Sequence, residues 1–264
     1  MDIIRQPAVA NMFYPGDPHE LDNMVEGFLS KITPSLSTSP KAIIAPHAGY
    51  IYSGPIAASV YAELIKSAHT IKRVVILGPS HRVAFYGLAV SDADFYHTPL
   101  GDIPLDKTTI QDLISQNIVT LFNQAHQMEH SLEVHLPFLQ KIYDNNISIV
   151  PIVVGDASTQ EVSQCIEAVW GGTETLIVIS SDLSHYHPYN EARQLDKDTC
   201  TAIEEYNIDA LHSENACGYI PIKGLLHYAK KLHLKAKTLD CRNSGDTAGS
   251  KDQVVGYGAY AFNE

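Results

Sequence analysis

What most limits the folds open to this chain is a series of short apolar runs that alternate with stretches of helical periodicity and end in polar punctuation. The runs at 41–45, 73–78, 87–90, 148–154, 175–180, 234–240 and 254–262 are rich in β-branched and aliphatic side chains. Between them, apolar residues recur at three- and four-residue spacing over 19–32, 55–68, 107–116, 129–143, 159–170, 189–206 and 222–232. Strands that are apolar throughout must be covered on both faces. The pattern therefore predicts an α/β fold with a mixed, mostly parallel central sheet flanked by helices on both faces. Alternation in Gly256-Tyr257-Gly258-Ala259-Tyr260-Ala261-Phe262 marks that run as an edge or antiparallel strand. Ligands of such sheets collect beyond the carboxyl ends of the strands, so residues distant in sequence meet wherever their strands are neighbours.

The polar punctuation holds the chemistry. Pro46-His47-Ala48-Gly49-Tyr50, Pro79-Ser80-His81-Arg82, Ser180-Ser181-Asp182-Leu183-Ser184-His185 and Asp240-Cys241-Arg242 each follow an apolar run. Two imidazoles and one anion with open positions form the arrangement in which iron(II) binds a chelating substrate beside dioxygen. His47, His81 and Cys241 meet that count; plain core or surface histidines and a reduced strand-end thiol are the alternative. A thiolate is a soft ligand and favours iron, copper or zinc over magnesium or calcium. His185 is the first choice for a base near the metal, ahead of His187, with Asp182 orienting it or capping the next helix. Glu129 and Glu133, four apart on one face of an expected helix, and His130 are candidates for a supporting shell or else a solvated face. Tyr50 and Ser80 complete the candidate pocket. Gly54-Pro55 predicts a helix beginning just after the His47 loop, with its positive end toward the pocket.

With 264 residues and 45% hydrophobic content the chain can bury a large core. No long low-complexity stretch or internal repeat divides it, so a single domain over 1–264 is expected. Its 18 basic and 30 acidic residues give a formal charge of −12, which disfavours nucleic acid and anionic membranes as partners. The amino terminus lacks the apolar segment of a secretory signal, and no run reaches the roughly 20 apolar residues of a membrane span. A soluble, cytoplasmic protein is expected. Cys165, Cys200, Cys217 and Cys241 form no C-x-x-C pair, and the first three read as small buried hydrophobes.

Several ordered motifs together resemble the Memo family, whose prokaryotic members are called AmmeMemoRadiSam system protein B. They are Arg5-Gln6-Pro7-Ala8-Val9-Ala10 through Phe13-Tyr14-Pro15, Pro46-His47-Ala48-Gly49-Tyr50, Gly78-Pro79-Ser80-His81, Glu129-His130-Ser131-Leu132-Glu133 and Ser181-Asp182-Leu183-Ser184-His185. The similarity continues to Gly256-Tyr257-Gly258-Ala259-Tyr260. The resemblance implies a fold like the class III extradiol dioxygenases of the LigB type, with a pocket lined by His47, His81, His185 and Cys241, the last matching a glutamate ligand of those enzymes. It also implies redox metals and a phosphorylated receptor tail as ligands of animal relatives, and radical-SAM and AMMECR-type proteins as partners of prokaryotic ones.

Two functions are expected to compete. One is a metal-dependent oxidoreductase using non-haem iron or copper, related to extradiol dioxygenases, with His185 taking a proton from a chelating small molecule. The other is a non-catalytic binding protein that receives a phosphorylated or anionic peptide or small ligand at His47, His81, His185 and a helix start. A third reading makes Cys241 a hydrolytic nucleophile with His47 or His81 as base.

Overall fold

The computed structural model describes residues 2–144 and 146–263. In chain order the elements are β1 (Ile4–Arg5), α1 (Pro18–Leu29), β2 (Ala42–Ala45), α2 (Tyr50–Tyr61), β3 (Arg73–Pro79), β4 (Leu88–Val90), β5 (Phe95–Thr98), β6 (Gly101–Pro104), α3 (Lys107–Ser115), β7 (Thr120–Leu121), α4 (Asn123–Gln127), α5 (Leu136–Tyr143), β8 (Ser148–Val154), α6 (Thr159–Val169), β9 (Thr175–Ser180), β10 (His185–His187), α7 (Tyr189–Glu204), α8 (Tyr219–Lys231), β11 (Lys235–Asn243) and β12 (Val254–Asn263). The main sheet runs β12-β2-β9-β3-β8-β4-β7, with β2, β9, β3 and β8 mutually parallel, β12 antiparallel to β2, β4 antiparallel to β8 and β7 parallel to β4. β1, β5 and β6 form a separate small sheet. This is the expected α/β architecture with a mixed, mostly parallel sheet.

The four parallel strands carry the core because nothing polar interrupts them: Val74 to Leu77, Ile149 to Val150 and Leu176 to Ile179 are all solvent-inaccessible. Helices cover both faces. On β11, Asp240 turns to α2, where it accepts from Ser59 Oγ at 2.8 Å, and Cys241, next along the strand, turns the opposite way to α7. α7 lies tight against β12 because Gly256 has no side chain; a Cβ there would sit 2.1 Å from Asp196 Oδ2.

Three elements depart from expectation. α2 starts at Tyr50, not at Pro55, since Gly49 supplies the extended N-cap and Tyr50 N–H is held by the Phe13 carbonyl. Pro55 falls inside the helix and frees the Ile51 carbonyl, at an exposed residue where water serves. The expected helix over 129–143 breaks: Glu129 Oε1 accepts from the His130 and Ser131 amides, replacing helical hydrogen bonds, and a regular helix starts only at Leu136, with Pro137 in its first turn. β11 runs on through Asp240-Cys241-Arg242 to Asn243, paired with β12 alone. Cys241 is thus in mid-strand on an antiparallel edge, not beyond the end of a buried strand.

Candidate metal centre

The carboxyl ends of β2, β9 and β3 lie side by side, with Ala45 in register with Ser180 and Leu77 with Ile179. The segments that follow therefore converge. His47 N–H donates to Asp182 Oδ1 at 2.8 Å, and Ser181 N–H to the Ala45 carbonyl, which fastens the His47 loop to the β9 loop. Ser80 shapes the next loop by donating from Oγ to the Val83 carbonyl. The rings of His47, His81 and His130 are mutually in contact, with centroids 5.1, 5.5 and 4.6 Å apart for the His47–His81, His47–His130 and His81–His130 pairs.

Two hydrogen-bond chains fix how these imidazoles present themselves. Ser180 Oγ donates to the Ser131 carbonyl at 2.5 Å, so toward His47 Nδ1, 2.6 Å away, it can only accept. His47 therefore carries its proton on Nδ1 and keeps a lone pair on Nε2. Burial, reinforced by His81, His130, His135 and His185, holds this ring well below its ordinary pKa, so it is neutral. His81 is oriented likewise: Nδ1 donates to Glu129 Oε1 at 2.8 Å and the backbone N–H to Oε2 at 2.6 Å. Burial pushes the Glu129 carboxyl up, but the ring, charge and amide of His81 and the amide of Ser131 outweigh it and bring the group to about 2. A carboxylate behind an imidazole is the arrangement that readies the far nitrogen for a metal.

The sulfur that meets these rings is Cys217, not Cys241. Cys217 Sγ lies 3.4 Å from His47 Nε2, and ligand atoms of His47, His81 and Cys217 all fall within 4.8 Å of one another. Cys217 stands in the loop before α8 and is held to the β9 end by its own N–H to the Asp182 carbonyl and by the Gly218 amide on Ser181 Oγ. Gly218 makes this approach possible; a Cβ would stand 2.5 Å from the Ser180 carbonyl oxygen. The Cys217-Gly218 pair was the signal available in the sequence. Desolvation and Asp182 push the Cys217 thiol up to about 12, so it is protonated unless a cation replaces the proton. His81, Glu129 and His130 form a second group sharing His81. Burial brings His130 to about 4, and its Nδ1 is buried without a hydrogen-bond partner.

The other expected residues have assignable places. Asp182 is buried, and burial raises its carboxyl to about 7 against the amides of His47 and Ala48. His185 is half-buried on β10 with its ring against the Leu183 carbonyl, and burial lowers its pKa. His187 is turned away to the surface, paired with Glu191 at 2.8 Å. Tyr50 belongs to the core, donating from Oη to the Val134 carbonyl and packing on Phe138. Glu133 is fully buried but not at the pocket: it takes Arg5 Nη1 at 2.6 Å, the amides of Ala8 and Val9, and Tyr14 Oη. Arg5 in turn donates to the Glu129 carbonyl, so this network braces the segment that orients His81. Cys241 meets Cys200. At the start of α2 the Tyr50 amide is taken by the Phe13 carbonyl and those of Tyr52 and Ser53 by the Gly49 carbonyl, and just before it the amides of His47 and Ala48 are taken by Asp182.

Beyond the parallel strands of this α/β sheet, imidazoles and a thiol are gathered into a group that could hold a metal ion. The chain belongs to the Memo family: the profile described as Memo-like protein matches residues 5–261. A MEMO1 family protein of Aquifex aeolicus (strain VF5) is 37% identical over 264 residues, covering 96% of this chain and 97% of its own length. Others from Desulfurococcus amylolyticus (36%, 98% of each chain) and Metallosphaera sedula (35%, 98% of this chain and 99% of the relative) match as fully. Among the described residues, no helix is long and apolar enough to cross a membrane.

Proposed function

We propose that the protein is a metal-dependent oxidoreductase in which His47 Nε2, His81 Nε2 and Cys217 Sγ hold iron(II) or copper. The reading rests on one observation, three donor atoms from three separate loops within 4.8 Å of one another. The donor set fits: two imidazole nitrogens with their opposite ring positions already hydrogen-bonded, one thiol whose proton a cation would displace, and no hard carboxylate among the three. Zinc suits the same donors but carries no redox chemistry. A bound iron or copper ion would supply one-electron chemistry and a coordination site for a chelating substrate.

The surrounding residues have definite tasks. Glu129 and Ser180 hold the two rings in the tautomers that leave their Nε2 atoms free. Asp182 ties the His47 loop to β9 and is a positioning residue. His81 is on the solvent-facing side, so a ligand enters past it. His185 can accept a proton from a substrate hydroxyl. The alternative of an anion-binding module keeps the imidazoles, but the Tyr50, Tyr52 and Ser53 amides of the helix start already have partners within the chain.

Elemental analysis of anaerobically purified wild type beside His47→Ala, His81→Ala and Cys217→Ala tests the site. Stoichiometric iron or copper in wild type and its loss in all three variants is expected, with Cys241→Ala still loaded. Metal-loaded wild type should then consume oxygen with a catechol-like compound. Metal retained in the Cys217 variant would sink the ligand assignment, and a loaded protein inert toward oxygen with every diol and reductant would sink the oxidoreductase reading.

A further inference from the structure

On the opposite side of β12 from α2, α7 and β11 enclose a cleft of about 390 Å³ whose lining includes Arg193, Lys197, Cys200, Thr238, Cys241 and Asn243. Two thiols from two elements meet in it. Cys241 pairs with Gly258 and Thr238 with Tyr260 along the β11–β12 ladder, and Cys200 reaches down from α7 to place Sγ 3.1 Å from Tyr260 Oη. The Cys200 and Cys241 sulfurs line the same cleft and interact with each other there. Cys241 is exposed and Cys200 is buried, so one sulfur of the pair faces solvent and the other stands behind it.

The polar lining is unevenly satisfied. The acids are occupied: Asp196 accepts from the Ser184 amide, Glu204 from the Thr238 amide, Asp246 from the Asn243 amide and Tyr189 Oη. Asn243 Nδ2 and Thr238 Oγ1 are buried without a hydrogen-bond partner, and Arg193 and Lys197 have no carboxylate partner among the described residues. The groups left over are donors, two cationic side chains, an amide NH₂ and a hydroxyl, and these suit carboxylate oxygens.

We propose that Cys200 and Cys241 form a redox-active dithiol that closes to an intramolecular disulfide by exchange with a low-molecular-weight disulfide bearing carboxylates. The Cys241 thiolate attacks one sulfur of the small disulfide; that S–S bond breaks, and the first small thiolate leaves and takes up a proton. The Cys200 sulfur then attacks the Cys241 sulfur of the mixed disulfide and expels the second small thiolate. The dithiol loses two electrons, the small disulfide gains them, and two small thiols depart with the two protons. Closure brings the two sulfurs to about 2.05 Å. The contact between the sulfurs holds Cys200 below the ordinary thiol value and Cys241 above it, so Cys200 is the first of the pair to lose a proton and can take up the Cys241 proton as that sulfur attacks.

Reduced wild-type protein titrated with oxidised glutathione is expected to lose two of its four thiols and to give a Cys200–Cys241 cross-linked peptide with no glutathione retained. Cys200→Ser should keep one glutathione on Cys241. Cys241→Ser, at an exposed position that does not threaten folding, should show neither adduct nor cross-link. Cystamine, whose ends are cationic, should react at least about tenfold more slowly at equal concentration, a difference of about 1.4 kcal/mol in barrier. Glutathione persisting on Cys241 in wild type, a cross-link that engages Cys217 or joins two chains, or no loss of thiols would overturn the dithiol. Equal rates with cystamine would overturn the preference for carboxylates.

Discussion

Replacing Glu129 by glutamine isolates the carboxylate that stands behind His81. Its side chain is 1% exposed and accepts four N–H groups: the His81 ring and amide, and the amides of His130 and Ser131. Glutamine keeps one acceptor oxygen and turns an NH₂ toward the remaining donors, leaving about two unpaired at about 1.5 kcal/mol each, or about 3 kcal/mol. The titration of the group gives a second route to the same size. Its pKa is 4.5 ordinarily and about 2 here, a difference equivalent to about 3 kcal/mol. Because the folded value is depressed, this stability is present above pH 4.5 and is lost as pH falls through about 2. At pH 3 roughly half of it should remain. Urea denaturation of Glu129→Gln and wild type at pH 7 and pH 3 measures both gaps, and groups common to the two proteins cancel. A gap below about 1 kcal/mol at pH 7, or one that does not narrow by pH 3, would refute the account of a charged carboxylate saturated by N–H donors. Affinity for a metal at His81 should fall about 10- to 100-fold in the same variant, read by competition with a chelator.

Arg5→Ala strips the buried Glu133 of its cation, and the loss in unfolding free energy should be about 3–5 kcal/mol by chemical denaturation; a loss under 1 kcal/mol would mean that the amides and Tyr14 suffice. Asp182→Asn removes a carboxyl that burial raises to about 7 from 3.8. Since the folded value is the higher, the wild type loses stability as pH rises between about 4 and 7, and the variant should gain on it over that window, with a flat difference as the contrary result. His187→Ala removes only a surface pair with Glu191, so stability should change by less than about 0.5 kcal/mol, and metal content not at all by elemental analysis.

The parallel strands were legible because burial on both faces leaves an unmistakable composition: 148–154 and 175–180 coincide with β8 and β9, and 73–78 falls one residue short of β3. Their order in the sheet then brings His47, His81 and Asp182 together without further information. Cys217 was not legible from periodicity, because the loop that holds it has none; its place depends on Gly218 approaching the β9 end and on Ser181 Oγ, a tertiary fit. Cys241 misled because 234–240 looks like another buried strand ending at a polar triplet, whereas β11 is a half-exposed edge that continues past it. Glu129 and Glu133 sit four apart, as on a solvated helix, yet each is the hub of a buried network. Side chains that replace backbone partners break the periodicity they seem to continue.

β12 bonds to β10 and β2 along one side and β11 along the other, and its ladder with β2 joins Ala42, Ile43 and Ile44 to residues 260–262. More than two hundred residues separate those partners, so the sheet that carries the His47 loop closes only after nearly all of the chain has been made. Such distant pairing carries a large loop-closure entropy and places folding in the slow regime of non-local β topologies. During synthesis, β2 must wait on the ribosome with its hydrophobic edge unpaired, which makes this segment a natural point of chaperone engagement and of aggregation when translation stalls.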